Sequence, residues 1–351
     1  MQVDTTMVIA NAQLGARNAI GDHARKLETL GYDAAFAFEG QHDPFLPLAL
    51  AAQATSTLKL GTGIAVAFAR NPMNLANLGY DLQLMTQGRF ILGLGSQVQA
   101  HIEKRFSMPW SRPAARMREL ILAIRAIWDS WQNDVPLRFE GEFYRHTLMT
   151  PTFSPGPNPH GMAKIVAAGV GSRMTEAVCE VADGFTVHPF NTARSLREIT
   201  LPAIEAGLRK NPVDRSGFDV SCNVIIATGR DERELAKARA IVKKQLAFYG
   251  STPAYRPVLE CEGWGDLQLN LNRLSKEGRW DDMAALIDDE MVDALAVVAP
   301  RDEIAQRIHV RLAGVADRVN LVARYADDDR DWADIVQQLH ASGGTSGADR
   351  L

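Results

Sequence analysis

The chain has 351 residues, 46% hydrophobic and 23% charged, a composition of folded globular proteins that excludes the disordered, collagenous and disulfide-rich classes. A formal net charge of −4, with Lys and Arg scattered, argues against nucleic acid or an acidic membrane surface as the main partner. No apolar run approaches the ~20 residues of a membrane span, and the opening MQVDTTMVIANAQ lacks a signal-peptide pattern, so a cytoplasmic location is expected.

Residues 3–10 read as a first strand. Ile20, Ala24, Leu27 and Leu30 recur at helical spacing before Gly31, and 34–38 is a short apolar strand closing on Glu39. A helix over 44–55 follows, with Asp43 as its N-cap. Residues 58–66 form a Gly-containing buried strand. Asn71 and Pro72 then open a helix whose buried face is Leu75, Leu78, Leu82 and Met85. Gly88 stops it, and 89–95 (RFILGLG) is the fourth strand. After an irregular stretch comes a long helix burying Leu120, Ile124, Ile127, Trp128 and Trp131.

From 133 to 164 the rhythm breaks: LRFEGEFYRH predicts a hairpin turning at Glu140–Gly141, and TPTFSPGPNPHG is too Pro-rich for a helix or central strand. Strands at 164–168, 184–188, 219–228 and 318–323 then alternate with helices at 172–182, 194–210, 231–249 and 301–312. Residues 252–298 read as extra helices, a second insertion, and 331–340 as a closing helix. Eight βα units predict an α/β chain forming a (β/α)8 TIM barrel, one domain over 1–340 with two insertions and a flexible Gly/Ser-rich tail at 341–351. Strand order is not written in the sequence, so a doubly wound open sheet is the alternative.

In a barrel, function gathers at the C-terminal ends of the strands. Strand five runs into Gly169-Val170-Gly171-Ser172-Arg173, a glycine turn entering a helix, which either binds an anion through free N–H groups or only tightens the connection. Dinucleotide and P-loop fingerprints are absent, because the third glycine falls on Met174 or Val98. Gly61 and Gly63 at strand three permit either close approach of a flat ligand or a bulge that curves the barrel. Glu39 and His42 after strand two are the acid/base candidates. His188 is a lone histidine, as fit for structure as for function. His101, Arg105 and Trp110 are candidates to face the mouth. No metal-ligand spacing, G-x-S-x-G elbow or C-x-x-C pair is present, and Cys179, Cys222 and Cys261 read as reduced thiols.

Beyond these readings, ordered pieces along nearly the whole chain match a known pattern: GYDAAFAFE, LKLGTGIAVAFARNP, DLQLMTQGRFILGLGS, RMRELILAIRAIWD, FEGEFY, KIVAAGVGSR and ADGF. The chain resembles the bacterial luciferase-like monooxygenase superfamily, most nearly its branch using the deazaflavin coenzyme F420. The resemblance implies a barrel with an insertion region near the mouth, a homodimer, and a (deaza)flavin across the C-terminal face. It implies that a bulge at Gly63, Ile64, Ala65 and Val66, often with a non-prolyl cis peptide in that family, backs the ring. Gly95, Ser96 and Gln97 would meet the ring edge or side chain, and Gly169, Val170, Gly171 and Ser172 the phosphate. Many relatives carry an acidic residue followed directly by His after strand two; here Gly40 follows Glu39, and His42 is the nearest histidine. The implied activity is hydride transfer between F420 and a small organic substrate. The alternatives are an FMN-dependent monooxygenase served by a flavin reductase, and a non-catalytic flavin-binding protein.

Overall fold

The computed structural model describes residues 1–212, 215–323, 325 and 332–342. Eight parallel strands run in chain order: β1 (Gln2–Thr6), β2 (Ala34–Ala37), β3 (Lys59–Thr62), β4 (Phe90–Gly95), β5 (Lys164–Gly169), β6 (Gly184–Val187), β7 (Asp219–Ala227) and β8 (Arg318–Val322). Each pairs with the next, and β8 pairs back on β1 with Gln2 opposite Arg318, so the sheet closes. Closure excludes the open sheet and gives the expected barrel. Helices bury Leu27, Leu75, Ile124, Trp128 and Ile308 against its outer face, in one core with Leu60, Leu92 and Ile165 of the strands.

The third strand is interrupted. From Gly61 opposite Ile91 to Ala65 opposite Leu94, this strand advances four residues while β4 advances three, which is a β-bulge. The Thr62 hydroxyl fills the gap, donating to Gly93 O at 2.6 Å and accepting from Gly93 N at 2.9 Å. Position 93 admits only glycine here, because a Cβ would fall 1.7 Å from Thr62 O. The Gly63–Ile64 peptide is cis, and Ala65–Val66 then rejoin β4.

Inside the barrel, polar residues fill one side. Asp4 and Arg318 form a buried ion pair (Nη2 to Oδ1 2.5 Å, Nε to Oδ2 2.9 Å). Nearer the mouth, Asn320 Nδ2 donates to Thr6 Oγ1 (3.0 Å) and Asn223 Oδ1 (2.7 Å), and Asn223 Nδ2 to Val187 O (3.0 Å). The opposite side is built from Phe36 against Gly61 and Gly63, where a Cβ would lie 2.7 and 2.8 Å from the Phe36 side chain.

Both insertions sit differently from expectation. The first does form a hairpin, Phe139–Glu140 against Arg145–His146, tied by Glu119, whose carboxylate accepts from the N–H groups of Glu142, Phe143 and Tyr144. Its Pro-rich run, however, lies at the N-terminal ends of the strands. Asn158 Nδ2 donates to Tyr80 O at 3.2 Å, and His160 packs against Gly88 just before β4. The reason is direction: the helix Pro113–Asn133 runs against the strands, so the chain leaving its C-terminus emerges away from the mouth.

The second insertion begins earlier than expected. Helix Glu232–Gly250, capped by Asp231 Oδ1 on Glu234 N at 2.8 Å, is not the outer helix that returns the chain from β7. Its Ala238, Val242 and Leu246 bury with Leu259, Leu271, Met283 and Val292 in a separate cluster, while Ile304–Leu312 packs on the barrel core. Residues 231–296 are thus a helical excursion, after which Val297–Val298 pair with Ile226 and Ala227 at the end of β7. The closing helix is Ala333–Ser342; Asp331 and the tail beyond Ser342 lie outside the described residues.

The entry to β3 is held by Glu28. Burial would raise its carboxyl, but hydrogen bonds from the Thr57, Leu58 and Ser56 N–H groups (2.6, 2.8 and 2.9 Å) and the Thr57 hydroxyl (2.9 Å) bring it down to about 2. Because the folded value lies below the unfolded one, this stabilisation is present above about 4.5 and is lost as pH falls through about 2. Glu28→Gln is therefore expected to flatten the rise in stability between those pH values, read as chemical-denaturation midpoints against pH.

Candidate active site

The strand ends bring the candidate residues into one arc. Past β2, Glu39 N donates to Ile64 O (3.1 Å), and Glu39 Oε2 accepts from Val66 N (2.7 Å) and Arg70 Nη1 (2.5 Å). Arg70 Nη2 reaches on to Asp43 Oδ2 at 2.9 Å. With 7% of its side chain exposed, Glu39 is a clamp between the second strand end and the bulge. Asp43 does cap the next helix, but from one position further out than expected: its Oδ1 accepts from Phe45 N at 2.8 Å, and Pro44 occupies the N-cap position.

Ala65 and Val66 are fully buried, so they support the bulge from behind, whereas Gly63 is exposed and Ile64 half-buried at the mouth. Val66 stands opposite Gly95, Gly95 opposite Ala168, and Gly169 opposite Val187, which sets the bulge, the β4 end and the glycine turn side by side. Gly95 makes room for Ile64: a Cβ there would lie 2.7 Å from Ile64 Cγ1. Beyond it Ser96 Oγ donates to Gln97 O (3.1 Å), and Gln97, at φ 59°, accepts from Val98 N through its own Oε1 (2.9 Å).

Gly171 has φ +80°, where glycine alone is unstrained, and it is the N-cap of helix Ser172–Cys179. No side chain caps that helix, and Gly171, Ser172 and Arg173 are exposed. The first-turn N–H groups and the positive helix end therefore face outward, which is what an anion site requires. Val170, 36% exposed, stands beside them.

The mouth has an apolar and a polar side. On the first, Val8 (58% exposed) and Phe38 (46%) lie just past the ends of β1 and β2, while Thr6, Asn223 and Asn320 line the second. Neither group was a candidate from sequence. The signal was legible in the second: Ser221 and Asn223, and Arg318 and Asn320, are polar residues two apart around apolar Cys222 and Val319, and Asp4 and Thr6 stand two apart in β1.

His42 is half-buried with its Nε2 shielded and unpartnered, and no hydrogen bond joins it to Glu39 among the described residues. Arg105 Nη2 donates to Gly40 O (2.7 Å), pinning the loop that carries His42 to the segment after β4. Trp110 packs edge-on against buried Phe68 (5.6 Å), and His101 is exposed on a short helix. His188 is drawn into an aromatic cluster with Tyr249 and Tyr255. Among the described residues no group of three or more His, Cys, Asp or Glu could hold a metal ion, and no helix is long and apolar enough to cross a membrane.

A closed barrel of eight parallel strands agrees with what comparison with known proteins finds. The family model for luciferase-like monooxygenase matches residues 4–318. This chain belongs to that family. A protein of Mycobacterium tuberculosis, named there as uncharacterized, is 57% identical over 298 residues, 85% of this chain and 88% of its own. The 5,10-methylenetetrahydromethanopterin reductase of Archaeoglobus fulgidus is 27% identical over 281 residues, 78% and 79% of the two chains. Among solved structures, the coenzyme F420-dependent tetrahydromethanopterin reductase from Methanopyrus kandleri superposes with a TM-score of 0.78 over 97% of this chain and 99% of that one. At 19% identity that likeness concerns the luciferase-like barrel fold.

The clamp in this luciferase-like barrel is open to test. Arg70→Met leaves the Glu39 carboxylate shielded with only the Val66 N–H, and the expected loss of stability is about 1–3 kcal/mol. Adding Glu39→Gln removes the stranded charge and is expected to recover part of it, read from urea midpoints of the two variants.

Proposed function

We propose that this protein is an oxidoreductase that moves a hydride between the deazaflavin coenzyme F420 and a small organic substrate. The observation that carries the reading is the unbroken arc from the Ile64 bulge through Gly95 to the uncapped Gly171 turn. A flat ring needs an apolar backing, and the exposed Gly63 backbone with the Ile64 side chain lying over Gly95 offers it. A phosphorylated side chain needs bare N–H groups, and Gly169, Val170, Gly171 and Ser172 offer those. The residues present therefore fit such a group, with Ser96 and Gln97 between its two ends.

The bound coenzyme would supply the carbon that gives or takes the hydride. The chain's part is to bind, orient and manage the proton. Val8 and Phe38 shed water from the mouth, and Thr6 and Asn223 present polar groups on its other side, suited to orient a substrate oxygen. Glu39 spends one oxygen on the bulge, and its Oε1 has no partner among the described residues. His42, with an unpartnered ring nitrogen on the loop after β2, is the side chain assigned to the accompanying proton.

A second reading comes from the family's description as monooxygenases: an FMN-dependent enzyme receiving reduced flavin from a partner reductase. Barrel, bulge and phosphate turn would serve both, so the cofactor decides. Fluorescence titration with F420 and then FMN is expected to show tight F420 and weak FMN binding. The reverse order would make it an oxygenase, and binding of neither would remove both readings in favour of a non-catalytic protein. With the cofactor bound, His42→Ala is expected to keep its affinity and lose about 10²–10⁴-fold in turnover on alcohols, ketones or enones. Glu39→Ala is expected to weaken cofactor binding itself, because it frees the bulge; wild-type behaviour of both variants would remove them from the reaction.

A further inference from the structure

At the rim of the mouth, beyond the phosphate end of the proposed cofactor arc, lies a recess. It opens between the Gly169–Gly171 turn, Thr175 behind it, Thr200 on the following helix, and Tyr255 and Val258 of the excursion. Its volume of about 50 Å³ admits a group of a few heavy atoms and no ring system, and no carboxylate lines it.

His188, at the end of β6, forms its inner wall. Phe190 N donates to His188 Nδ1 at 3.1 Å, so that nitrogen carries a lone pair. Burial pushes the imidazole down to about 3, so the ring is neutral and its one proton sits on Nε2. The Nε2–H therefore donates to Tyr255 Oη, 3.0 Å away, while the two rings stack at 4.3 Å. With its oxygen already accepting, the Tyr255 hydroxyl proton has no acceptor among the described residues. A half-buried donor on a residue that lines a carboxylate-free recess is free to take an acceptor from outside the protein.

We infer that Tyr255 binds an anionic oxygen, the phosphate of the flavin side chain, held between the Gly169–Gly171 turn and the excursion. The inference rests on the proposed cofactor and extends its site to a residue far away in sequence. It makes His188 a positioning residue: by fixing which way the Tyr255 hydroxyl donates, it aims one donor from the excursion at the group that the barrel's own N–H groups meet from the other side. A bound phosphate would then tie the excursion to the barrel rim.

Tyr255→Phe removes the hydroxyl and keeps the ring that stacks on His188, so the fold is retained. Wild type and variant are titrated by fluorescence with F420 and with the same deazaflavin riboside lacking the phosphate. The variant is expected to bind F420 roughly 10- to 100-fold more weakly, as for loss of a hydrogen bond to a charged group, and the riboside equally well. Equal affinity of both proteins for F420, or an equal loss for F420 and riboside, would overturn the inference. Should FMN prove to be the cofactor, FMN and riboflavin take the same places. Should the wild type bind neither flavin, the cofactor reading falls and inorganic phosphate becomes the probe. A rise in melting temperature with phosphate that is larger in wild type than in the variant then supports the Tyr255 site, and an identical response refutes it.

Discussion

The mouth of this barrel depends on the hydrogen bonds that Glu39 accepts. The third strand cannot continue past Thr62 in register, because Gly93 brings the neighbouring backbone too close and the chain must bulge. A bulge leaves backbone groups without ladder partners, and in a nearly closed site each must find another. The Thr62 hydroxyl takes both groups of Gly93, and Glu39 takes the Val66 N–H. Arg70 then balances the carboxylate and passes the connection to Asp43 at the start of the next helix. Burial gives these bonds their weight, since leaving any one unmade costs far more there than in water.

With the bulge held, the division of the lumen has a plain cause. Glycines at 61, 63, 93 and 95 let strands three and four come close and leave Phe36 and Ile64 as the side chains between them. Strands one, seven and eight carry full-sized polar residues inward, which satisfy one another as the Asp4–Arg318 pair and the Thr6–Asn320–Asn223 chain. One side is thus flat and apolar, the other rich in fixed donors and acceptors. A planar cofactor and a polar substrate need those two surfaces at one mouth.

The excursion after strand seven adds a second layer to the site. It buries its own apolar cluster, separate from the barrel core, and touches the rim where His188 meets Tyr249 and Tyr255. The first insertion, by contrast, divides: its hairpin is tied to Glu119 near the start of the outer helix, while its Pro-rich run packs on Tyr80 and Gly88 at the N-terminal side of the strands.

Much was legible from sequence because it depends on local chemistry. Alternating apolar strands and amphipathic helices specified eight βα units, Asn71 and Asp231 cap the helices they were expected to start, and the Gly169–Gly171 turn enters its helix uncapped. Strand order was invisible, since closure of β8 on β1 joins residues more than 300 apart. The same holds for the clamp and the rim. Glu39 meets Val66 and Arg70, and His188 meets Tyr255, only because parallel strands deliver their ends to one face. Helix 232–250 looked like any barrel helix, and packing alone assigned it to the excursion, because amphipathic spacing states that a face will be buried but not against what. The sequence by itself determined the units and the glycines that let strands and ligands approach. Tertiary structure alone decided which distant groups share a hydrogen bond, because that depends on register around a closed sheet.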